Sequence, residues 1–165
     1  MGVSGCGKST VSQLLSVELG AAFSDADDHH PEVNIDKMRR GIALDDADRA
    51  PWLHTLGTWV AHHDRLGSRT VLACSALRRS YREQLRSAVP TVVFVHLSGT
   101  RDAISARLRA RTGHFMPPEL LDSQLSSLEP LGPDEAGVTI DIDHTPTELV
   151  HRILDALALP RKVSP

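Results

Sequence analysis

The chain has 165 residues, 41% hydrophobic and 24% charged, the size and make-up of one globular domain with its own core. A net charge of −3 gives no overall pull toward nucleic acid or an anionic membrane, and two cysteines rule out a disulfide framework or a Cys-ligated zinc fold. No apolar run reads as a membrane span or signal segment, so the expectation is one cytoplasmic domain over 1–165 with reduced thiols and neither membrane nor nucleic-acid partners.

The opening MGVSGCGKST carries Gly2, Val3, Ser4, Gly5, Cys6, Gly7, Lys8 and Ser9 in the pattern G-x-x-x-x-G-K-[ST]. Backbone N–H groups of such a loop point inward at phosphate oxygens, and its glycines permit the backbone angles and the close approach this requires. Lys8 then reaches the terminal phosphates, Ser9 binds Mg²⁺, and the following helix aims its positive end at the site. A loop of this kind ordinarily follows a buried central strand, yet one residue precedes it here. The expectation is a first strand missing from the sheet, with Met1 an internal methionine of a longer reading frame. The alternative is a truncated domain of poor stability, since buried ladder groups without partners are costly.

Beyond the loop, Val11, Leu14, Leu15 and Leu19 recur at helical spacing, and Gly20 suits the helix end. Residues 21–24 form a short strand candidate running into Asp25. Pro31 and Gly41 bracket a helix, and a longer one is expected from Asp48 to Gly67, with Trp52, Leu56, Trp59, Val60 and Leu66 on its apolar stripe. Residues 70–74, 92–97 and 138–142 read as strands covered on both faces. Helices are expected at 78–88, at 100–111, from Pro117 or Pro118, and after the capping box Thr145-x-x-Glu148. Strand and helix alternate, which predicts α/β: a parallel sheet flanked by helices.

Charge is split along the chain. Residues 25–48 hold eight acids against three bases, and residues 78–111 hold eight arginines against Glu83 and Asp102. Solvated faces would account for this, and so would a metal-plus-anion site. In SDADDHHP, Asp25 and Asp27 follow the second strand, at the sheet edge where ligands bind. One could hold a metal-bound water while the other accepts a proton from a substrate hydroxyl. Arg78, Arg79 and Arg82 follow the third strand as cations suited to carboxylate or phosphate. In RLRARTGHF, Arg107 and Arg111 lead through a glycine turn into the next helix, an arrangement that could swing as a lid and shield developing charge from water. Cys6 and Cys74 each follow a predicted central strand. They are either small residues at tight positions or thiols beside the phosphate site whose alkylation slows the reaction.

Taken in order, GVSGCGKST, DADDHHP, NIDKMRRGIALDDADRAPWL, CSALRRSYRE, HLSG and RLRARTGHFMPPELLDSQLSSLEPL resemble gluconokinases of the small P-loop type, relatives of the shikimate and nucleoside monophosphate kinases. The resemblance runs from residue 2 to about residue 131. It implies a P-loop kinase fold with a helical acceptor region near 28–66 and a mobile lid near 107–128. The implied activity is Mg²⁺- and ATP-dependent phosphorylation of D-gluconate to 6-phospho-D-gluconate by a homodimer. By position, Gly5, Cys6, Gly7, Lys8, Ser9 and Thr10 resemble the ATP loop, Asp27 the base on the acceptor side, and Asp25 its metal-side partner. His30, Arg78, Arg79, Arg82 and His114 resemble acceptor-binding residues, while Arg107 and Arg111 resemble adenine-stacking and lid arginines. Two positions depart from the family pattern: Cys6 stands where Ser is frequent, and Arg78-Arg79 where a Lys pair is. A kinase of another small acid such as shikimate, or a silent nucleotide-binding module, remains the alternative.

Overall fold

The computed structural model describes residues 1–110 and 119–160. In chain order these form α1 (Lys8–Leu19), β1 (Ala22–Asp25), a 3-10 turn (Ala26–His29), α2 (Glu32–Arg39), α3 (Asp46–Arg65) and β2 (Thr70–Ala73). There follow α4 (Arg79–Ala88), β3 (Phe94–Ser98), α5 (Arg101–Ala110), α6 (Glu119–Ser127), β4 (Gly137–Asp141) and α7 (Pro146–Ala156). The alternation is that of an α/β domain with helices flanking parallel strands, as the sequence predicts.

Local chemistry sets the element ends. Gly20 closes α1 in the left-handed region at φ 58° and donates its N–H to the carbonyls of Ser16 and Val17, a position a side chain would disfavour. Thr145 and Glu148 cap α7 reciprocally, as expected. Helix α3 starts two residues before the expected Asp48, because the Asp45 carboxylate accepts from the Asp48 N–H while Asp48 reaches back to the Asp45 N–H. Its buried stripe is Trp52, Leu53, Leu56 and Val60; Leu66, expected on that stripe, lies past the helix end and is 65% exposed. β3 is shorter than the apolar run suggests, with Val92 and Val93 outside it.

The strands pair as two separate parallel ribbons. Ala22 of β1 lies opposite Thr70 of β2, and Phe94 of β3 opposite Gly137 of β4. Between the ribbons runs the first dipeptide. The Met1 amine donates to the Val95 carbonyl, the Met1 carbonyl accepts from Leu97 N–H at 3.0 Å, and Gly2 N–H donates to the Ser75 carbonyl at 3.1 Å. The described strands thus form two two-stranded sheets rather than the single sheet expected. Two apolar clusters cover it. One joins Val11 and Leu15 of α1 to Leu97, Ile104 and the buried face of α7 (Leu149, Ile153, Leu154). The other joins Trp52, Leu53 and Leu56 of α3 to Tyr81 and Leu85 of α4. Both phosphate loop and acidic turn are held at the carboxyl ends of the strands, the edge at which such sheets bind ligands.

Candidate active site

The glycine loop enters α1 through Gly7, at φ 97°, which sits at the helix N-cap with no side chain satisfying the first-turn N–H groups. Those donors stay open for an anion, and the helix dipole favours one there. Gly5 adopts φ 84°, and a Cβ on it would lie 2.7 Å from Leu108 Cγ; only glycine fits between loop and α5. Lys8 Nζ donates to the Val3 carbonyl at 3.1 Å, so the cation is folded over the loop's own cradle. Val3 and Cys6 are buried in the core beneath, while Ser4 N–H is held by Gln124 Oε1 of α6 at 2.7 Å. Arg107 lies beside Gly7, its Nη1 being 3.8 Å from where a Gly7 Cβ would sit, and its Nη2 donates to the Ile142 carbonyl at 2.6 Å. Thr10 follows in the first turn of α1 and is exposed. Arg111 and His114 lie outside the described residues.

From the far side, the acidic turn meets the loop. Ser9 Oγ donates to Asp25 Oδ2 at 2.5 Å, and Asp25 Oδ1 accepts from the Asp27 N–H at 3.1 Å. Ser9 hydroxyl and Asp25 carboxylate are hard oxygen donors already in contact, a set that suits Mg²⁺. Trp52 Nε1 donates to the Ala26 carbonyl at 2.7 Å, fixing the turn against α3. His30 stacks flat on the Trp52 ring, centroids 4.3 Å apart. Burial, and then the Arg49 charge, pulls His30 down to about 4. It is therefore neutral at physiological pH, and its Nδ1 is buried with no hydrogen-bond partner among the described residues. A buried polar atom without a partner costs stability unless a ligand completes it.

These features open onto one cleft. Lys8, Asp27, His30, Arg49, Ser75 and Gln124 are among the residues that line it. A phosphate-loop cation, a carboxylate and a neutral imidazole thus face a common space, together with the Arg49 guanidinium. Arg49 Nη1 donates to Tyr81 Oη at 3.2 Å, and its guanidinium lies 5.6 Å from the Tyr81 ring centroid.

A model of the shikimate kinase family matches residues 4–158. The gluconokinase of Gluconobacter oxydans (strain 621H) is 44% identical over 154 residues, spanning 93% of this chain and 86% of that protein. Among solved structures, a sugar kinase from Janibacter sp. HTCC2649 superposes with a TM-score of 0.92 at 45% identity, over 96% of this chain and 92% of that one. A gluconokinase from Sinorhizobium meliloti 1021 gives a TM-score of 0.85 at 41% identity, over 96% and 89% of the two chains. The chain belongs to the gluconokinase family.

In this gluconokinase-family chain the arginine cluster after β2 is not gathered at the cleft. Arg78 Nη1 donates to both carboxylate oxygens of Asp46, at 3.0 and 2.9 Å. Arg79 forks onto Asp134 at 3.0 and 2.6 Å and bonds Glu83 at 2.8 Å, on an exposed face. Arg82 is fully buried. Its Nε and Nη2 bond the two Glu135 oxygens at 2.6 and 2.8 Å, and its remaining donors take the carbonyls of Ala76, Leu77, Glu129 and Pro130. Ala76 holds a positive φ of 41°, a strained conformation for a residue with a side chain. Arg82 therefore clamps the strained turn after β2 onto the 129–135 loop, and it holds Glu135 down to about 2. The charges that made the cluster look like a site belong, in space, to acids far along the chain.

Arg49 and Gln124 are among the cleft residues that sequence reasoning passed over. Arg49 stands in an acidic stretch and reads as a solvated helix charge; its place one turn before the buried Leu53 was the available signal. Gln124 lies within the stretch that carries the family resemblance, but nothing in its spacing separates it from an ordinary exposed helix residue. The two thiols are buried, Cys6 at 0% and Cys74 at 5% exposure, and burial pushes Cys74 up to about 11. Both are packing residues rather than reactive groups.

Proposed function

We propose that the chain transfers the terminal phosphoryl group of ATP to the 6-hydroxyl of D-gluconate, giving 6-phospho-D-gluconate and ADP. The observation that carries this reading is the single cleft in which Lys8 faces Asp27, His30 and Arg49; relatives named gluconokinases at about the same length supply the acceptor. Gluconate is a short polyol with one carboxylate, and the cleft offers a match for each part.

The open N–H groups at the start of α1, with Gly5, Cys6, Gly7, Lys8, Ser9 and Thr10, cradle the phosphates, and Lys8 stabilises charge on the group in transfer. Ser9 and Asp25 would hold Mg²⁺, which when bound neutralises phosphate charge. Asp27 accepts the proton of the attacking hydroxyl. Arg49 takes the acceptor carboxylate in place of Arg78, Arg79 and Arg82, as the guanidinium aimed into the cleft. His30, neutral and with Nδ1 unpartnered, bonds an acceptor hydroxyl. Arg107, beside Gly7, packs at the nucleotide end. Arg111 and His114 complete a lid spanning about 107–128 over an acceptor region at about 28–66, and closure favours the sugar hydroxyl over water. The reading extends to a cytoplasmic homodimer, which light scattering of the purified protein would check.

A coupled ADP-release assay with gluconate, shikimate and nucleoside monophosphates as acceptors tests the proposal. Turnover with gluconate well above that with the others is expected. Background rates with gluconate alongside turnover of another acceptor would overturn it.

A further inference from the structure

The peptide that joins Val3 to Ser4 is held at both of its polar ends. Its C=O accepts from Lys8 Nζ at 3.1 Å, and its N–H donates to Gln124 Oε1 of α6 at 2.7 Å. A peptide unit is planar and trans, so its N–H and C=O point in opposite directions. Fixing one fixes the other. The Gln124 side chain therefore decides where the Val3 carbonyl points, and that carbonyl decides where the Lys8 ammonium rests. Because a backbone donor stands opposite the Gln124 amide, the atom that meets it is the oxygen.

Both sides of this bridge are anchored. Val3 and Cys6 share one buried cluster with Leu121 of α6, and Gln124 lies three residues on, on the same helix face. Asp122 of α6 takes the fork of Arg101 at the start of α5, and Gly5 of the loop lies against Leu108 of α5. Loop, α5 and α6 are thus tied together. Ser4, Lys8 and Gln124 line the cleft together with Asp27, so the bridge lies on the side of the loop that faces the acceptor. Lys8 carries three N–H donors. One meets the Val3 carbonyl, and an ammonium stationed there keeps the others for phosphate oxygens. Away from bulk water, hydrogen bonds at the two ends of one peptide strengthen each other.

We propose that Gln124 is a positioning residue for the phosphoryl transfer: through the Val3–Ser4 peptide it sets the station of the Lys8 ammonium. The inference rests on the reading of Lys8 as the cation that meets the terminal phosphates. Gln124 itself touches no phosphate in this scheme, and its effect passes through Lys8. Remove the amide and the Ser4 N–H loses its acceptor. The peptide can then rotate about the bonds that flank it and carry the Val3 carbonyl away from the ammonium. An ammonium on a flexible four-carbon stem then has more positions to give up when it binds phosphate.

The experiment is a double-mutant cycle on Gln124→Met and Lys8→Ala. Methionine keeps the length of glutamine and offers only a weak acceptor; Gln124→Ala, run alongside, should behave the same way and guards against a methionine that misfits. ATP affinity is measured by titration calorimetry with Mg²⁺ and no acceptor. With Lys8 present, Gln124→Met is expected to weaken ATP binding about 10-fold, the loss of one hydrogen bond. In the Lys8→Ala background it should change the affinity by less than about twofold. The thermal midpoint should fall by no more than about 4 °C, and the gluconate KM should stay within about twofold. ATP affinity in Gln124→Met equal to that of the parent protein overturns the proposal. So does a loss of the same size with Lys8 absent, which marks a direct nucleotide contact or a loosened loop. A rise in gluconate KM alone also overturns it, by marking an acceptor contact. The calorimetry uses no acceptor, so failure of the gluconate reading, seen as background turnover in the parent protein, is distinguishable from failure of this inference.

Discussion

At the scale of single residues, contact partners separate functional arginines from structural ones. Arg49→Ala removes a charge-assisted bond worth about 1.5–3 kcal/mol, so the gluconate KM should rise roughly 10- to 100-fold with the ATP KM nearly unchanged. Arg78→Ala, whose charge is spent on Asp46, should leave both constants within about twofold, because exposed pairs contribute little. Steady-state kinetics on the two variants decide the assignment; a gluconate KM that moves for Arg78 and not for Arg49 would reverse it. Lys8→Ala should lower kcat by about 100- to 1000-fold. Asp27→Asn should retain ATP binding by titration calorimetry while losing about 100-fold or more in rate. Arg82→Ala is a different kind of variant: it strands the buried Glu135 carboxylate, costing about 3–5 kcal/mol of stability, read as a fall in the urea midpoint.

At the scale of elements, what the sequence revealed was whatever is decided locally. Helix α1 ends at Gly20 because that residue adopts the left-handed turn, and α7 begins at Thr145 because Glu148 is three residues on; both are visible in a short window. The start of α3 was harder, since Asp45, Asp46 and Asp48 all offer caps and only the Asp45–Asp48 exchange settles it. The phosphate loop and acidic turn were legible as site components because their chemistry lies in consecutive residues. Arg82 was misread because its carboxylate partner, Glu135, is 53 residues away. Between α5 and α6, Arg101 forks onto Asp122 at 2.8 and 3.0 Å, tying the start of α5 to α6, which lies within the proposed lid. That pair is exposed, so Asp122→Asn should leave the thermal midpoint within about 2 °C. A lid hinged there would show its loss instead as a changed kcat.

At the scale of the whole molecule, buried His96 and half-buried His30 set the acid limit. His30 and His96 are each pulled from about 6.5 to about 4, mainly by burial. The unfolded chain binds their protons below about pH 6.5 while the folded chain refuses them until about 4. Stability contributed by the neutral forms is therefore full above pH 6.5 and drains away between 6.5 and 4. Glu135, held at about 2 by Arg82, keeps its contribution until the pH drops below the ordinary carboxylate range. Urea midpoints from pH 7.5 to 4.5 should fall, and His96→Gln should flatten part of that slope; a level profile in the parent protein contradicts the burial argument.

In the proposed reading the molecule joins a phosphate cradle to a carboxylate-reading pocket across one cleft, and the chemistry follows from that juxtaposition. Phosphorus NMR of the protein with ATP, Mg²⁺ and D-gluconate tests this most directly. A new phosphate monoester resonance coupled to the C6 protons of gluconate, growing as ATP converts to ADP, is the predicted result. Release of inorganic phosphate with no ester would contradict it.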